Sequence, residues 1–162
     1  RSDGSVLGIG NNQYDQCDVP ALPPGTSYTD VAASKEHSLA VRSDGNVVTW
    51  GDQSWELYDV PPLPPGVSYV QVSSDGFEYS SSPPWPWHFH SVALRSDGAV
   101  VTWGDDDVAD IPPPPAGHVW IEVEAGHHVP RLGVEDPRHL GCGGGGRGGR
   151  GLGRRSLLVG HS

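Results

Sequence analysis

The pairing in this chain that could do chemistry is histidine beside serine. Of the eight histidines, His37 and His90 stand at the same repeat position, each before a serine, Ser38 and Ser91. A hydroxyl becomes a nucleophile when an imidazole converges on it. Both pairs lie in strand-patterned sequence, HSLAV at 37–41 and HSVAL at 90–94, where adjacent side chains point to opposite faces. The spacing therefore predicts no nucleophile. A histidine recurring at an equivalent position predicts a structural hydrogen bond tying neighbouring strands. His88 and His90 flank Phe89 and would share one strand face, but a zinc site takes at least three protein ligands and no third stands nearby. His127-His128 has the same shortage, and Asp105-Asp106-Asp107 lacks the spacing of a calcium loop. No G-x-S-x-G, phosphate loop or dinucleotide fingerprint occurs. Cys17 and Cys142 stand in unlike contexts and are expected as free thiols. The expectation is a non-enzyme with no cofactor and no metal.

Aromatic residues offer a different chemistry, that of recognition. Trp50 and Trp103 sit in a repeated Thr-Trp-Gly and are expected to pack. Trp55 and Tyr58 follow the first of these, and Trp85, Trp87 and Phe89 lie in the stretch SPPWPWHFH. Proline stiffens that stretch and lowers the entropy cost of binding, and rigid exposed aromatics carry much of the energy of protein interfaces. Trp55, Tyr58, Trp85, Trp87 and Phe89 are thus the candidate binding residues, for a protein partner. The competing reading is that this loop folds back and only covers apolar surface.

The elements that must position these residues come from internal repetition. The string RSDG occurs at 1–4, 42–45 and 95–98, extended as RSDGSVLGIG, RSDGNVVTWG and RSDGAVVTWG. A second shared element is CDVPALPPGTSYTDV at 17–31, matched by YDVPPLPPGVSYVQV at 58–72 and more weakly by ADIPPPPAGHVWIEV at 109–123. Period-two patterns predict strands over Tyr28–Ala33, His37–Val41, Val47–Trp50 and Tyr69–Ser73. RSDG reads as a hairpin turn with glycine supplying a positive φ. The Leu-Pro-Pro-Gly segments read as rigid connectors. Nothing has a helical period. RSDG copies are 41 and then 53 residues apart, and the extra 12 fall between Val72 and His90, so Asp75–Phe89 is expected as an inserted loop.

Glycine (23) and proline (16) fill about a quarter of the 162 residues, mostly at recurring turn positions. The net charge of −10 divides into −14 over residues 1–130 and +4 over residues 131–162. An acidic body repels phosphate backbones, which argues against nucleic-acid binding by the repeats. No apolar run approaches the roughly 20 residues of a membrane-spanning helix. Residues 127–162 form a Gly/Arg-rich segment, with 11 glycines among residues 131–162, expected to be disordered or read out of frame.

HSLAVRSDGNVVTWG (37–51), HSVALRSDGAVVTWG (90–104) and the partial RSDGSVLGIG (1–10) resemble the RCC1-like repeat, named for the regulator of chromosome condensation. The short period and the Asp-Val-Pro connector are most similar to bacterial members, among them the propeller-type β-lactamase inhibitor proteins. The resemblance covers residues 1–126. It implies an all-β fold, a β-propeller of seven blades, of which this chain would supply about three. Ile9 stands where Trp50 and Trp103 stand, and the unit begun at Val119–Val123 loses the pattern after Gly126. For function the resemblance implies a protein-interaction scaffold using loops of the propeller face. Its alternative is nucleotide exchange on a small GTPase, in which inserted loops distort the nucleotide site.

Overall fold

The computed structural model describes residues 4–52, 57–78, 87–104, 111–126, 131–135 and 155–158. These residues contain strands and no helix. The strands are β1 (Tyr28–Ala33), β2 (His37–Arg42), β3 (Val47–Gly51), β4 (Tyr69–Glu78), β5 (Trp87–Arg95), β6 (Val100–Gly104), β7 (Val119–Glu124), β8 (Arg131–Glu135) and β9 (Arg155–Leu158). They form three antiparallel sheets, β1-β2-β3, β4-β5-β6 and β7-β8-β9, of identical order.

The RSDG turns at 42–45 and 95–98 close the β2/β3 and β5/β6 hairpins. Gly45 at φ 82° and Gly98 at φ 80° take the left-handed conformation, and their amides donate to Arg42 O and Arg95 O. Arg42 is held against Asp44, whose carboxylate also accepts from the Asn46 amide. Arg95, Asp97 and the Ala99 amide repeat the arrangement. The Arg42 guanidinium holds the Asp44 carboxyl down to about 2. Glycine has a second reason to stand at Gly45, because a Cβ there would lie 2.4 Å from the Ser68 Cβ of the next sheet. The Tyr69 amide approaches closely enough to donate to Gly45 O at 2.8 Å. The connectors before β1 and β4 are also tied: Tyr28 Oη donates to Pro20 O and Tyr69 Oη to Pro61 O.

The first two sheets bury both faces. Leu39 and Val41 pack with Tyr69, Val72, Ala93 and Trp103 of the second sheet. Val92 and Leu94 pack with Trp120, Val123 and Leu132 of the third. On its other face the first sheet sets Ala40 and Trp50 beside Tyr28, under Val6, Val19 and Leu22. Leu39, Ala40, Val92 and Ala93 are all wholly buried because each middle strand is covered front and back. Each leucine so buried contributes about 2 kcal/mol.

A β-bulge recurs at one place in every sheet, between Tyr28 and Asp30, Tyr69 and Gln71, and Trp120 and Glu122. Just past it, the Val72 amide donates to Asp30 Oδ2 at 2.8 Å and the Val123 amide to Gln71 Oε1 at 3.0 Å. A side chain of one sheet thereby staples the backbone of the next.

Two expectations change. Asp75–Phe89 is not loop throughout: the β4/β5 ladder runs four pairs beyond Ser74↔Ser91, to Glu78↔Trp87. The reason is that Trp87-His88-Phe89-His90 continues the alternation of β5 without a break. The sequence also offered no strand beyond Gly126, yet Arg131–Glu135 and Arg155–Leu158 are strands. Leu132 is wholly buried beneath Trp120 and Val123, which supplies the apolar anchor that the Gly/Arg-rich composition concealed.

Candidate interaction surface

Among the five candidate binding residues, Tyr58 is 38% exposed and donates its hydroxyl to Gly51 O, which fixes the ring beside the end of β3. Trp87 opens β5. Trp55 and Trp85 lie outside the described residues, as do Asp105–Asp107, His127-His128 and Cys142. Phe89 requires a correction. It is wholly buried in β5 and presents no ring to a partner. Its ring lies across the β4 backbone at Gly76, where a Cβ would come within 2.3 Å of it, and meets His37 edge-on at 6.0 Å. Phe89 is therefore the packing that holds the two arms of the long hairpin together.

Trp50 and Trp103 pack as expected. Each indole also donates to the linker preceding its own strand pair, Trp50 to Gln16 O at 2.9 Å and Trp103 to Leu57 O at 3.1 Å. Ser38 Oγ donates to the same Gln16 carbonyl.

His37 links sheets rather than strands of one sheet. Its Nδ1 lies 2.6 Å from Ser34 Oγ, and its Nε2 lies 2.8 Å from Ser74 Oγ and 3.2 Å from Ser91 Oγ across the interface. Burial pushes the imidazole down to about 4, with the neighbouring His90 adding to the effect and Asp52 opposing it. A wholly buried imidazole surrounded by hydroxyls serves structure, since no solvent or substrate reaches it.

Residues 28–54 match the family model described as Regulator of chromosome condensation (RCC1) repeat. The repeat is RCC1-like. That RCC1-like segment spans β1, β2 and β3 and ends just after the Thr-Trp-Gly. The second sheet repeats its strand order, its bulge and its RSDG hairpin. No curated protein and no solved structure matches the chain.

Sequence reasoning missed a groove beside β1, lined by Val6, Leu7, Cys17, Val31 and Trp50 among others. The signal was present in the partial repeat at 1–10, where Ile9 takes the tryptophan position.

Proposed function

We propose that the three sheets are blades of an RCC1-like β-propeller and that the chain is a protein–protein interaction scaffold without catalytic chemistry of its own. The observation that carries this reading is the long β4/β5 hairpin. The repeat closes the equivalent connection at Ala33↔Ser38, whereas here four further pairs project. At the spacing of strand residues that is about 13 Å of additional arm. Extra structure that packing does not require is where recognition is commonly added. The arm leads into the tryptophan- and proline-rich segment, so Trp85 and Trp87 with Trp55 and Tyr58 are the contact residues of the proposal. An acidic chain, −10 overall, favours a basic or neutral partner.

The test is a double change, Trp85→Ala with Trp87→Ala, measured against a partner captured with the full chain. The expected result is an unchanged circular dichroism spectrum and a loss of about 2 kcal/mol in affinity, roughly thirtyfold. Unchanged affinity would remove these two residues from the interface, and a cooperative loss of stability would make them packing residues.

A further inference from the structure

Among the described residues three aspartates stand directly before a glycine, Asp44, Asp75 and Asp97. In this dipeptide the carboxyl meets least obstruction at the following amide, because glycine has no Cβ. The three are held differently. The Asp44 carboxylate faces Arg42 and accepts from the Asn46 amide at 3.1 Å, and Asp97 faces Arg95 and accepts from the Ala99 amide at 3.1 Å. Their glycine amides are turned elsewhere, Gly45 N–H to Arg42 O and Gly98 N–H to Arg95 O. At Asp75 the carboxylate accepts from the very next amide, with Gly76 N 2.8 Å from Asp75 Oδ1. This brings the nitrogen against the carboxyl group in the manner of a reacting pair.

Glycine is not optional at this place, since a Cβ on residue 76 would come within 2.3 Å of the Phe89 ring. Asp75 also marks the point where the sheet thins. Its partner His90 is the last β5 residue in the β6 ladder, at His90↔Gly104. Beyond it, Gly76↔Phe89 to Glu78↔Trp87 run as two strands in the described ladders. A two-stranded ribbon is marginally stable and opens locally, which gives Asp75 the freedom to close a ring.

We infer that Asp75-Gly76 is a site of aspartate isomerisation, at which the backbone passes through a cyclic imide and reopens as isoaspartate. In the first step Gly76 N bonds to Asp75 Cγ, and the carboxyl hydroxyl leaves as water with the amide proton. In the second, water adds to the backbone carbonyl carbon of Asp75. The bond from that carbon to Gly76 N breaks, and the nitrogen recovers a proton. Addition of water at Cγ instead restores aspartate. One water is lost and one gained, so composition is unchanged and no cofactor takes part. Asp75 is partly exposed, which admits that water. Asp44 and Asp97 are spared on two counts. Their carboxyls point away from the glycine amide, and the arginine partner keeps them ionised, Asp44 down to about 2 and Asp97 below its ordinary value. An ionised carboxylate has no hydroxyl to release. The product carries Cβ in the main chain, and the added backbone atom takes Gly76 out of register with Phe89. The glycine that the Phe89 ring demands thus opens a route by which that packing is lost and the outer arm is freed.

The test follows the native full chain through several weeks at 37 °C and pH 6. Digested samples are read by electron-transfer mass spectrometry, which locates isoaspartate residue by residue, and by labelling with protein isoaspartyl methyltransferase. Isoaspartate is expected at Asp75 about tenfold faster than at Asp44 or Asp97. In guanidinium the three rates should converge, because each pair is then the same dipeptide in a flexible chain. Asp75→Glu should remove the signal, since its longer side chain would have to close a larger ring. The converted protein should show faster amide exchange at Phe77 and Glu78, with Val72 and Val92 still protected. Equal rates at the three pairs of the folded chain, or no conversion at Asp75, overturn the inference. So does a preference for Asp75 that persists unchanged in guanidinium, since neighbouring sequence alone would then cause it. Unaltered exchange at Phe77 and Glu78 in the converted protein overturns the link to the arm.

Discussion

His37 couples its protonation to the contact between two sheets. Its folded value of about 4 lies below the ordinary 6.5, so the unfolded chain binds the proton more tightly. The contribution is complete above pH 6.5 and is lost as pH falls towards 4, and a shift of this size corresponds to about 3 kcal/mol. Denaturant titrations at pH 7 and pH 4 should show that loss, and His37→Leu should flatten the slope between them while lowering the plateau. The paired carboxylates act lower. Asp44, held at about 2, loses its advantage only as pH falls through the acid range, which keeps the two effects apart. The RSDG glycines give a second comparison. Gly45 needs both a positive φ and room for Ser68, whereas the nearest atom to a Cβ on Gly98 is the Val119 Cβ at 3.8 Å. Gly98→Ala should cost about 1 kcal/mol from φ alone. Gly45→Ala should cost clearly more, as measured by the denaturation midpoints of the two variants at equal slope.

The long hairpin stands or falls on Gly76. A side chain there would overlap the Phe89 ring, and Phe89 is wholly buried. Gly76→Val is expected to disrupt the four extra pairs, seen as fast amide exchange from Asp75 to Glu78, while Val72 and Val92 stay protected. How far the sequence shows such elements depends on the physics of each. The two RSDG hairpins and their flanking strands were legible because turn chemistry and period-two alternation repeat at fixed spacing. The arm reads as loop because the proline- and serine-rich sequence before Trp87 dominates the composition, although Trp87-His88-Phe89-His90 alternates. β8 was hidden for a related reason: five residues, Arg131–Glu135, carry only Leu132 and Val134 as apolar signal within a glycine-rich background. Among the candidate contact residues, exposure could not be read from type. Phe89 and Tyr58 are both aromatic, and only the placement of Gly76 decides that one is core.

At the scale of the molecule, the described sheets form a stack in which the second has a neighbouring sheet on both sides and the first and third on one. Stability in such arrays is carried by neighbour interfaces. Amides of β5 should therefore exchange most slowly, with Val92 and Leu94 approaching the global unfolding free energy, and those of β3 and β8 should open earlier. Slowest exchange in the third sheet would contradict this ranking.

The staple at the bulge has a consequence for ancestry. Asp30 and Gln71 differ in charge and length, yet each reaches the same backbone amide of the following unit, on Val72 and Val123. A bond from side chain to backbone asks nothing of the recipient's side chains. At this bond a duplicated unit needs no matched side chain in the unit that follows, and the matching is left to the apolar packing and the His37–Ser91 contact. Gene duplication then works on a self-adhesive module, and drift at the staple position is tolerated wherever an acceptor oxygen of suitable reach remains.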